Sequence, residues 1–222
     1  MPARGGSLMK QLIVVGAGGL GREVFQYAQD LLGSDAETEV LGFLDDNPAA
    51  LAGDPLEGKI LGDTANFSVE PQHRFVIGVG DPALRHALAA QIATRGGLFT
   101  RVIHPLAYVA STARVDDGCV LAPYVFVGAG ARVGPHVVLN VRVSVGHDAM
   151  LSEHCVLSPH CVVGGGTRLG RGVFMGSSVT IVPQRTLGSG CKIAAGAVVL
   201  QDVPGGALAV GNPAKSRVLF PS

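Results

Sequence analysis

A histidine with an acidic neighbour, His147-Asp148, is the pair of residues in this chain best suited to proton transfer. A carboxylate that accepts a hydrogen bond from one ring nitrogen fixes the tautomer and raises the basicity of the other nitrogen. The pair stands two positions after Val145, an aliphatic residue of a regular repeat, where we expect a side chain at a corner to point outward. The residues alone favour a solvated surface histidine, and a general base is the alternative.

A glycine-rich segment, residues 16–21 (GAGGLG), is the second candidate for chemistry. It follows an apolar strand and precedes a helix, as the dinucleotide fingerprint requires, and Asp45 follows at a distance compatible with a ribose contact. Helix N-termini favour anionic phosphates. A full dinucleotide site usually needs a second βαβαβ half, and the chain has no room for one before Ile103. The segment therefore predicts a phosphate-bearing ligand, of which a dinucleotide is the less favoured class.

A six-residue repeat carries the histidine. From Ile103 to Val199 an aliphatic residue recurs at every sixth position, seventeen times without a break, and a small residue follows four positions later in every case except Arg185. Helices and ordinary strands repeat at about 3.6 and 2.0 residues, so neither explains this period. A fixed short period predicts a parallel β-helix. Three hexads make one triangular coil, so the seventeen hexads predict nearly six coils.

The cysteines fit the same repeat. Each occupies the small-residue position of its hexad, which predicts an inward packing group about as bulky as valine or threonine rather than a disulfide or a metal ligand. The four positions are Cys119, Cys155, Cys161 and Cys191.

Strands and helices alternate ahead of the repeat, and they predict a small parallel sheet of about four strands with helices on its faces. The first helix is expected to stop at Gly33, and the second to begin at Asp81 and Pro82 and to run to about Arg95. We expect domains at residues 9–102 and 103–206 and a tail at 207–222. The expected strands are Lys10–Val15, Glu39–Leu44, Phe75–Val79 and Leu98–Ile103.

The bulk composition narrows the class of partner. Net charge is zero and only 15% of residues are charged, which argues against nucleic acid or an anionic membrane as the main partner. No apolar run reaches the roughly 18 residues of a membrane span, and residues 1–8 are too short and too polar for a secretory signal. Met9 is a possible initiator, with a disordered arm as the alternative. We expect a cytoplasmic protein.

Several motifs together resemble one family. They are hexads of the form Val-Gly-x-x-Ala/Val-x, the opening Val-Gly-Ala-Gly-Gly, the strand end Phe43–Asp46 and the closing segment Val210–Lys215. Over about Lys10 to Lys215 the chain resembles the sugar acyltransferases of the sialic acid O-acetyltransferase (NeuD) and bacillosamine or perosamine N-acetyltransferase (PglD, PerB) group. This resemblance implies a small Rossmann-like α/β domain followed by a left-handed parallel β-helix, against the general preference for right-handed crossovers.

The resemblance also implies a reaction, acyl transfer from acetyl-CoA to a sugar, which needs a base, an oxyanion donor and a groove for the carrier. In the family the base is a corner histidine followed by an acidic residue, which matches His147 and Asp148. Gly165 lies one coil, or three hexads, after His147, and its N–H is expected to meet the thioester carbonyl. Simple corner geometry is the alternative explanation of that glycine.

Binding residues follow from the same resemblance. A nucleotide-linked amino sugar, of the UDP- or GDP-4-amino-4,6-dideoxyhexose type, is expected along the glycine loop and the next two strand ends, with Asn140 near the acceptor group. Coenzyme A is expected along stacked corners and the tail. Val156 stands where several members carry a second histidine near the acyl carrier. The sugar set is Gly18, Gly19, Leu20, Asp45, Asp46, Gly80 and Asn140, and the cofactor set is Val156, Gly165, Ser177, Ala195 and Lys215.

The resemblance further implies a homotrimer with active sites between subunits, and it leaves alternatives open. One is O-acetylation of a free sugar such as sialic acid, and another is a non-catalytic β-helix scaffold. Some hexapeptide-repeat proteins bind zinc, but the ligand spacing of those proteins is absent, so no metal is expected. His154 and His160 either replace the missing second histidine in space or are ordinary corner residues.

Overall fold

The structure is a computed structural model that describes residues 9–33, 38–56 and 58–219. The predictions for the leader, residues 1–8, and for the last three residues of the tail lie outside the described residues. None of the described helices combines the length and the apolar character that crossing a membrane requires.

The N-terminal part is a five-stranded parallel sheet in the order β3-β2-β1-β4-β5, with two helices. It has one strand more than predicted, because Ile60–Gly62 is too short to show a periodic pattern. The elements are β1 (Lys10–Val15), α1 (Gly19–Leu32), β2 (Thr38–Leu44), β3 (Ile60–Gly62), β4 (His73–Ile77), α2 (Pro82–Ala93) and β5 (Leu98–Phe99).

Local signals placed the helices well. Asp81 caps α2 by accepting a hydrogen bond from the Leu84 backbone N–H (2.9 Å), and α1 ends at Gly33. The predicted strand Leu98–Ile103 is divided between two sheets, since Leu98–Phe99 pairs with β4 and Val102–Ile103 pairs with Val120–Leu121. The chain therefore passes from one domain to the other inside a segment that reads as one strand.

The hexad repeat forms a left-handed parallel β-helix with three sheets as its faces. Each two-residue strand pairs with the strand three hexads later, so every aliphatic residue stacks on its equivalent in the next coil. The first face consists of β6 (Val102–Ile103), β9 (Val120–Leu121), β12 (Val138–Leu139), β15 (Val156–Leu157), β18 (Phe174–Met175), β21 (Lys192–Ile193) and β23 (Ala207–Val210), with β24 (Lys215–Val218) antiparallel at its end.

The other two faces complete the prism. The second face consists of β7 (Tyr108–Val109), β10 (Phe126–Val127), β13 (Ser144–Val145), β16 (Val162–Val163), β19 (Thr180–Ile181) and β22 (Val198–Val199). The third face consists of β8 (Arg114–Val115), β11 (Arg132–Val133), β14 (Met150–Leu151), β17 (Arg168–Leu169) and β20 (Thr186–Leu187). We name the corners by the faces they join: the 1–2 edge, the 2–3 edge and the 3–1 edge.

The N-terminal domain packs on the β-helix, and an arginine joins the two. Arg85 of α2 is fully buried and donates hydrogen bonds to the carbonyls of Ile77 and Val79 and to the carbonyl of His136 on the 3–1 edge (2.7, 2.8 and 2.8 Å). Burial lowers the pKa of Arg85 to about 10. The outward side chains Val120 and Val138 of the first face are also buried. The first face and the 3–1 edge are therefore less accessible than the 2–3 edge.

Candidate active site

The glycine-rich loop lies between β1 and α1, as predicted. Gly16 has a left-handed φ of 98°, and a side chain at Gly21 would collide with the Gly16 carbonyl, so these two glycines are required by the fold. Gly18 and Gly19 differ from them, because a Cβ added at either would meet nothing within 4 Å. The N-terminus of α1 therefore presents bare backbone to open space, and helix N-termini favour anionic groups.

Asp45 and Asp46 follow β2 and lie beside this loop. The Asp45 carboxylate accepts hydrogen bonds from the backbone N–H of Ala17 (2.7 Å) and of Asn47 (2.9 Å). Asp46 accepts from the backbone N–H and the hydroxyl of Thr64, both at 2.9 Å. Both carboxylates thus hold the loops in place; both oxygens of Asp45 are already hydrogen-bonded, whereas the bonds to Asp46 all go to Oδ1.

Gly80 follows β4, so the predicted sugar-nucleotide residues of this domain come from three loops at the carboxyl edge of one parallel sheet. A Cβ at Gly80 would come within 3.8 Å of a Leu20 methyl group, which places these two loops side by side. Ligands of open α/β sheets bind at this edge. The structure brings Gly18, Gly19, Leu20, Asp45, Asp46 and Gly80 together there.

His147 and Asp148 stand on the 2–3 edge, directly after β13. Their Nδ1 and Oδ2 atoms are 2.9 Å apart, and the two side chains are 74% and 71% exposed. An ionised carboxylate only accepts hydrogen bonds, so the imidazole Nδ1–H is the donor and Nε2 keeps its lone pair. The arrangement leaves the second ring nitrogen, Nε2, open to accept a proton.

Glycines surround this pair on the neighbouring coils. A Cβ added at Gly165 would lie 2.5 Å from His147 Nε2, and one at Gly128 would lie 2.8 Å from the His147 backbone nitrogen. Gly165 has no left-handed φ, so close approach to the imidazole, and not corner geometry, explains the glycine at this position. Gly165 thus lies beside the His147 imidazole, and the contact of its N–H with a thioester carbonyl stays a prediction.

Asn140, Ser177 and Ala195 lie on the 1–2 edge, one face away from the histidine. Ser177 and Ala195 stack as predicted, since the Gly196 N–H donates to the Ser177 carbonyl (2.9 Å). The Asn140 side-chain oxygen accepts from the Val141 N–H (2.7 Å). Within one chain the second face separates these residues from His147.

Two of the predicted cofactor residues, Val156 and Lys215, lie on strands of the first face and not on the 1–2 edge. Val156 is only 5% exposed on the first face, so its side chain offers almost no surface to a cofactor in this chain. Lys215 begins β24 and is exposed at the rim of a cleft beside Gln201 and Asp202.

The remaining histidines form a second group on the 3–1 edge. The rings of His136 and His154 are stacked with centroids 4.9 Å apart, and His86 of α2 meets His154 edge-on at 5.0 Å. Nδ1 of both stacked rings is buried and finds no hydrogen-bond partner in the described part of the chain. His154 lies under α2 on the 3–1 edge, away from His147 on the 2–3 edge, whereas exposed His160 lies on the 1–2 edge. The replacement of the second histidine by either residue stays a prediction.

The cysteines confirm their predicted inward packing. All four are free and buried, and the thiols of Cys119, Cys155 and Cys161 donate to the carbonyls of Gly134, Gly170 and Gly176 at 3.0 to 3.1 Å. Burial raises the thiol pKa to about 12 for Cys119, Cys155 and Cys191, and to about 11 for Cys161. None of these thiols is a nucleophile at neutral pH.

Comparison with known proteins identifies the family. Residues 11–92 match the family described as PglD N-terminal domain. The whole fold matches the acetyltransferase domain of PglB from Neisseria gonorrhoeae, solved with acetyl coenzyme A, at 33% identity and a TM-score of 0.84, over 93% of this chain and 98% of that chain. The chain belongs to the NeuD/PglD/PerB family of sugar acetyltransferases.

Two further structures share the fold. PerB from Caulobacter crescentus, solved with CoA and GDP-perosamine, matches at 27% identity and a TM-score of 0.84, over 94% of this chain and 98% of that chain. WeeI from Acinetobacter baumannii matches at 22% identity and a TM-score of 0.82, over 94% of this chain and all of that chain, and shares the fold. The present member of the NeuD/PglD/PerB family is thus an acyltransferase.

For this member of the NeuD/PglD/PerB family, the described residues contain no group of three or more His, Cys, Asp or Glu side chains able to hold a metal ion.

The sequence analysis overlooked one residue near the proposed base. Gly130 lies one coil before Asp148, and the three-hexad period that led from His147 to Gly165 also leads from Asp148 to Gly130. Arg85 was overlooked as well, because nothing in the sequence distinguishes it from a surface arginine of an amphipathic helix.

Proposed function

We propose that this chain is an acetyl-CoA-dependent N-acetyltransferase that acetylates the amino group of a nucleotide-linked sugar, of the UDP- or GDP-4-amino-4,6-dideoxyhexose type. Acetyl-CoA and nucleotide sugars are cytoplasmic metabolites, so we expect the enzyme to act in the cytoplasm. His147 is the general base in this proposal, Asp148 orients it, and no residue of the chain forms a covalent intermediate.

The hydrogen bond between His147 Nδ1 and Asp148 Oδ2, at 2.9 Å, carries the proposal. It leaves Nε2 free to accept a proton from an attacking amine, on an edge where the imidazole is 74% exposed. Because Gly165 has no side chain, the acceptor and the thioester can approach Nε2 from the adjacent coil.

The Gly165 backbone supplies the second element of the mechanism. No hydrogen bond from its N–H is found among the described residues, whereas its carbonyl accepts from the Gln184 N–H (2.9 Å). A free backbone donor beside the base can stabilise the negative charge that develops on the thioester oxygen. The amine then carries the acetyl group, His147 holds its proton, and the thiolate leaves.

Relatives support the choice of substrates. The PglB domain was solved with acetyl coenzyme A, and a perosamine N-acetyltransferase was solved with CoA and GDP-perosamine. The 1–2 edge fits a carrier that contacts backbone, since Ser177 and Ala195 are small and a Cβ at Gly196 would meet nothing within 4 Å. Open backbone at Gly18 and Gly19 suits a pyrophosphate.

Two observations favour an active site between subunits of a homotrimer. The base and the proposed coenzyme A residues lie on the 2–3 and 1–2 edges, so a second chain is needed to bring the two sets together. The second face between those edges is the apolar one: Tyr108 and Phe126 stack at 5.4 Å and are 59% and 45% exposed, and Val162 is 42% exposed. An exposed apolar surface of this kind is typical of a protein interface.

The test is thiol release from acetyl-CoA with a panel of UDP- and GDP-linked 4-amino-4,6-dideoxy sugars, with wild type and His147→Ala in parallel. We expect turnover with one nucleotide sugar and a loss of roughly 10²–10⁴-fold in the variant. Sedimentation velocity of the same samples measures the oligomeric state, and a trimer is expected.

Each failure has a separate meaning. Equal turnover in wild type and His147→Ala would refute His147 as the general base but leave the proposed reaction intact. Turnover only with free sialic acid would replace N-acetylation by O-acetylation. A protein that neither turns over nor is stabilised against heating by coenzyme A would be a scaffold.

A further inference from the structure

Gly130 lies directly beside the catalytic carboxylate. It stands on the 2–3 edge, one coil before Asp148, and a Cβ built on it would approach Asp148 Oδ1 more closely than non-bonded atoms do. The other carboxylate oxygen, Oδ2, faces His147 Nδ1 at 2.9 Å. Gly130 itself is held by the coil before it, because its N–H donates to the Thr112 hydroxyl (3.1 Å). Room for the carboxylate thus depends on the missing side chain.

Backbone conformation does not explain the glycine. Gly130 has a left-handed φ of 70°. At eight equivalent corner positions of this β-helix the residue is not glycine, and its φ lies between 58° and 63°. Asp148 is one of them. A side chain is therefore tolerated at this corner position in general, and the particular obstacle at residue 130 is the Asp148 carboxylate. The eight residues are Tyr124, His136, Arg142, Asp148, His154, His160, Ser178 and Gln184.

We propose that Gly130 is a positioning residue: its lack of a side chain lets Asp148 adopt the rotamer that holds the His147 imidazole. The inference rests on the proposed role of His147 as base. A methyl group at 130 displaces only the end of a short side chain, so the fold tolerates it while the His147–Asp148 hydrogen bond does not form. Misplacement of a catalytic group by about 1 Å can cost 10²-fold in rate.

The experiment compares four variants of the full chain: Gly130→Ala, Asp148→Ala, the double variant, and Gly190→Ala as control. Gly190 has the same left-handed φ, 67°, but a Cβ there would meet nothing within 4 Å, and it lies on the 3–1 edge. We expect kcat to fall roughly 10–10²-fold in Gly130→Ala with KM for acetyl-CoA unchanged, and both constants to be unchanged in Gly190→Ala.

The double variant separates positioning from general destabilisation. If Gly130 acts through Asp148, Gly130→Ala has no further effect on kcat once Asp148 is alanine. The backbone strain of an alanine at left-handed φ remains in that background, so Gly130→Ala then lowers the melting temperature only by about as much as Gly190→Ala does. Losses of kcat that add in the double variant, or equal losses of kcat in Gly130→Ala and Gly190→Ala, would overturn the inference. A full-rate Asp148→Ala would instead refute the proposed mechanism, whatever Gly130→Ala does.

Discussion

The histidine of the 2–3 edge and the histidines of the 3–1 edge have opposite surroundings, and only that of the 2–3 edge matches the proposed base. On the 2–3 edge His147 is exposed, faces the Asp148 carboxylate and has the backbone of Gly165 beside Nε2. On the 3–1 edge His136 and His154 stack on each other beneath α2, with buried Nδ1 atoms that lack partners among the described residues. His147 is the second residue after its inward aliphatic residue, whereas His136 and His154 are the third. The neighbours of each ring, a carboxylate on one edge and α2 on the other, set its surroundings.

Charge and burial account for the difference. Burial is the main cause that lowers the pKa of both His136 and His154 to about 4. Positive charge on Arg85 and His86 acts in the same direction, while Glu153 opposes it at His154. These rings are neutral at physiological pH and are packing groups of the domain junction. A hydrogen bond to a carboxylate and access to solvent distinguish His147 from them.

Replacing one histidine on each edge is expected to show the largest difference between the two edges. We expect His147→Gln to lower kcat by roughly 10²–10⁴-fold because the base is lost, with little change in stability. His154→Gln should leave kcat within about twofold and lower the melting temperature, because a buried stacked ring is lost. Steady-state kinetics and thermal unfolding measure the two effects. A kinetic defect in His154→Gln equal to that of His147→Gln would show that both edges take part in the reaction.

Two glycines, one on each edge, provide a second comparison of the edges. A Cβ at Gly165 would collide with His147 Nε2, and one at Gly118 would collide with His136 Nδ1. We expect Gly165→Ala to lower kcat roughly 10–10²-fold at nearly constant melting temperature, since the exposed imidazole can swing away. Gly118→Ala should destabilise the fold by about 1–3 kcal/mol and spare kcat, since the half-buried His136 ring packs against Phe99 and His154 and cannot swing away. The reverse pattern would contradict the assignment of the two edges.

Lowering the pH is expected to reveal a smaller difference between the two edges, through the stability of the fold. The pKa of His136 and of His154 is depressed from 6.5 to about 4 in the folded chain, so the unfolded chain takes up protons first as the pH falls. This contribution to stability is complete above about pH 6.5 and is lost as the pH falls through 4. Because His136 is only half-buried, we expect about 2 kcal/mol to be lost between pH 7 and 5, or roughly 4–8 °C in melting temperature.

The control for acid unfolding is His154→Gln, which removes one of the two titrating rings. Its melting temperature should change less between pH 7 and 5 than that of the wild type. A variant in which the pH dependence is unchanged would mean that groups outside the 3–1 edge dominate acid destabilisation.

Much of this arrangement was predictable from local signals. The hexad period predicted the β-helix, because inward aliphatic residues must stack at equal spacing, and it predicted the stacking of Ser177 on Ala195. Asp81 and Pro82 predicted the start of α2 because capping is a local interaction. The strand Ile60–Gly62 and the division of Leu98–Ile103 between two sheets were not predictable, since two- and three-residue strands exist only through their partners.

By itself, the sequence determined which residues share an edge, since a coil of three hexads is a property of the repeat, and it determined that Asp148 adjoins His147. Only the tertiary structure decided which histidines are buried. That outcome depends on where α2 packs against the prism, through contacts such as Arg85 with the His136 carbonyl, 51 residues away in the chain. Periodicity acts along the chain and is visible in it, whereas burial and pKa are set by whatever long-range packing places beside each ring.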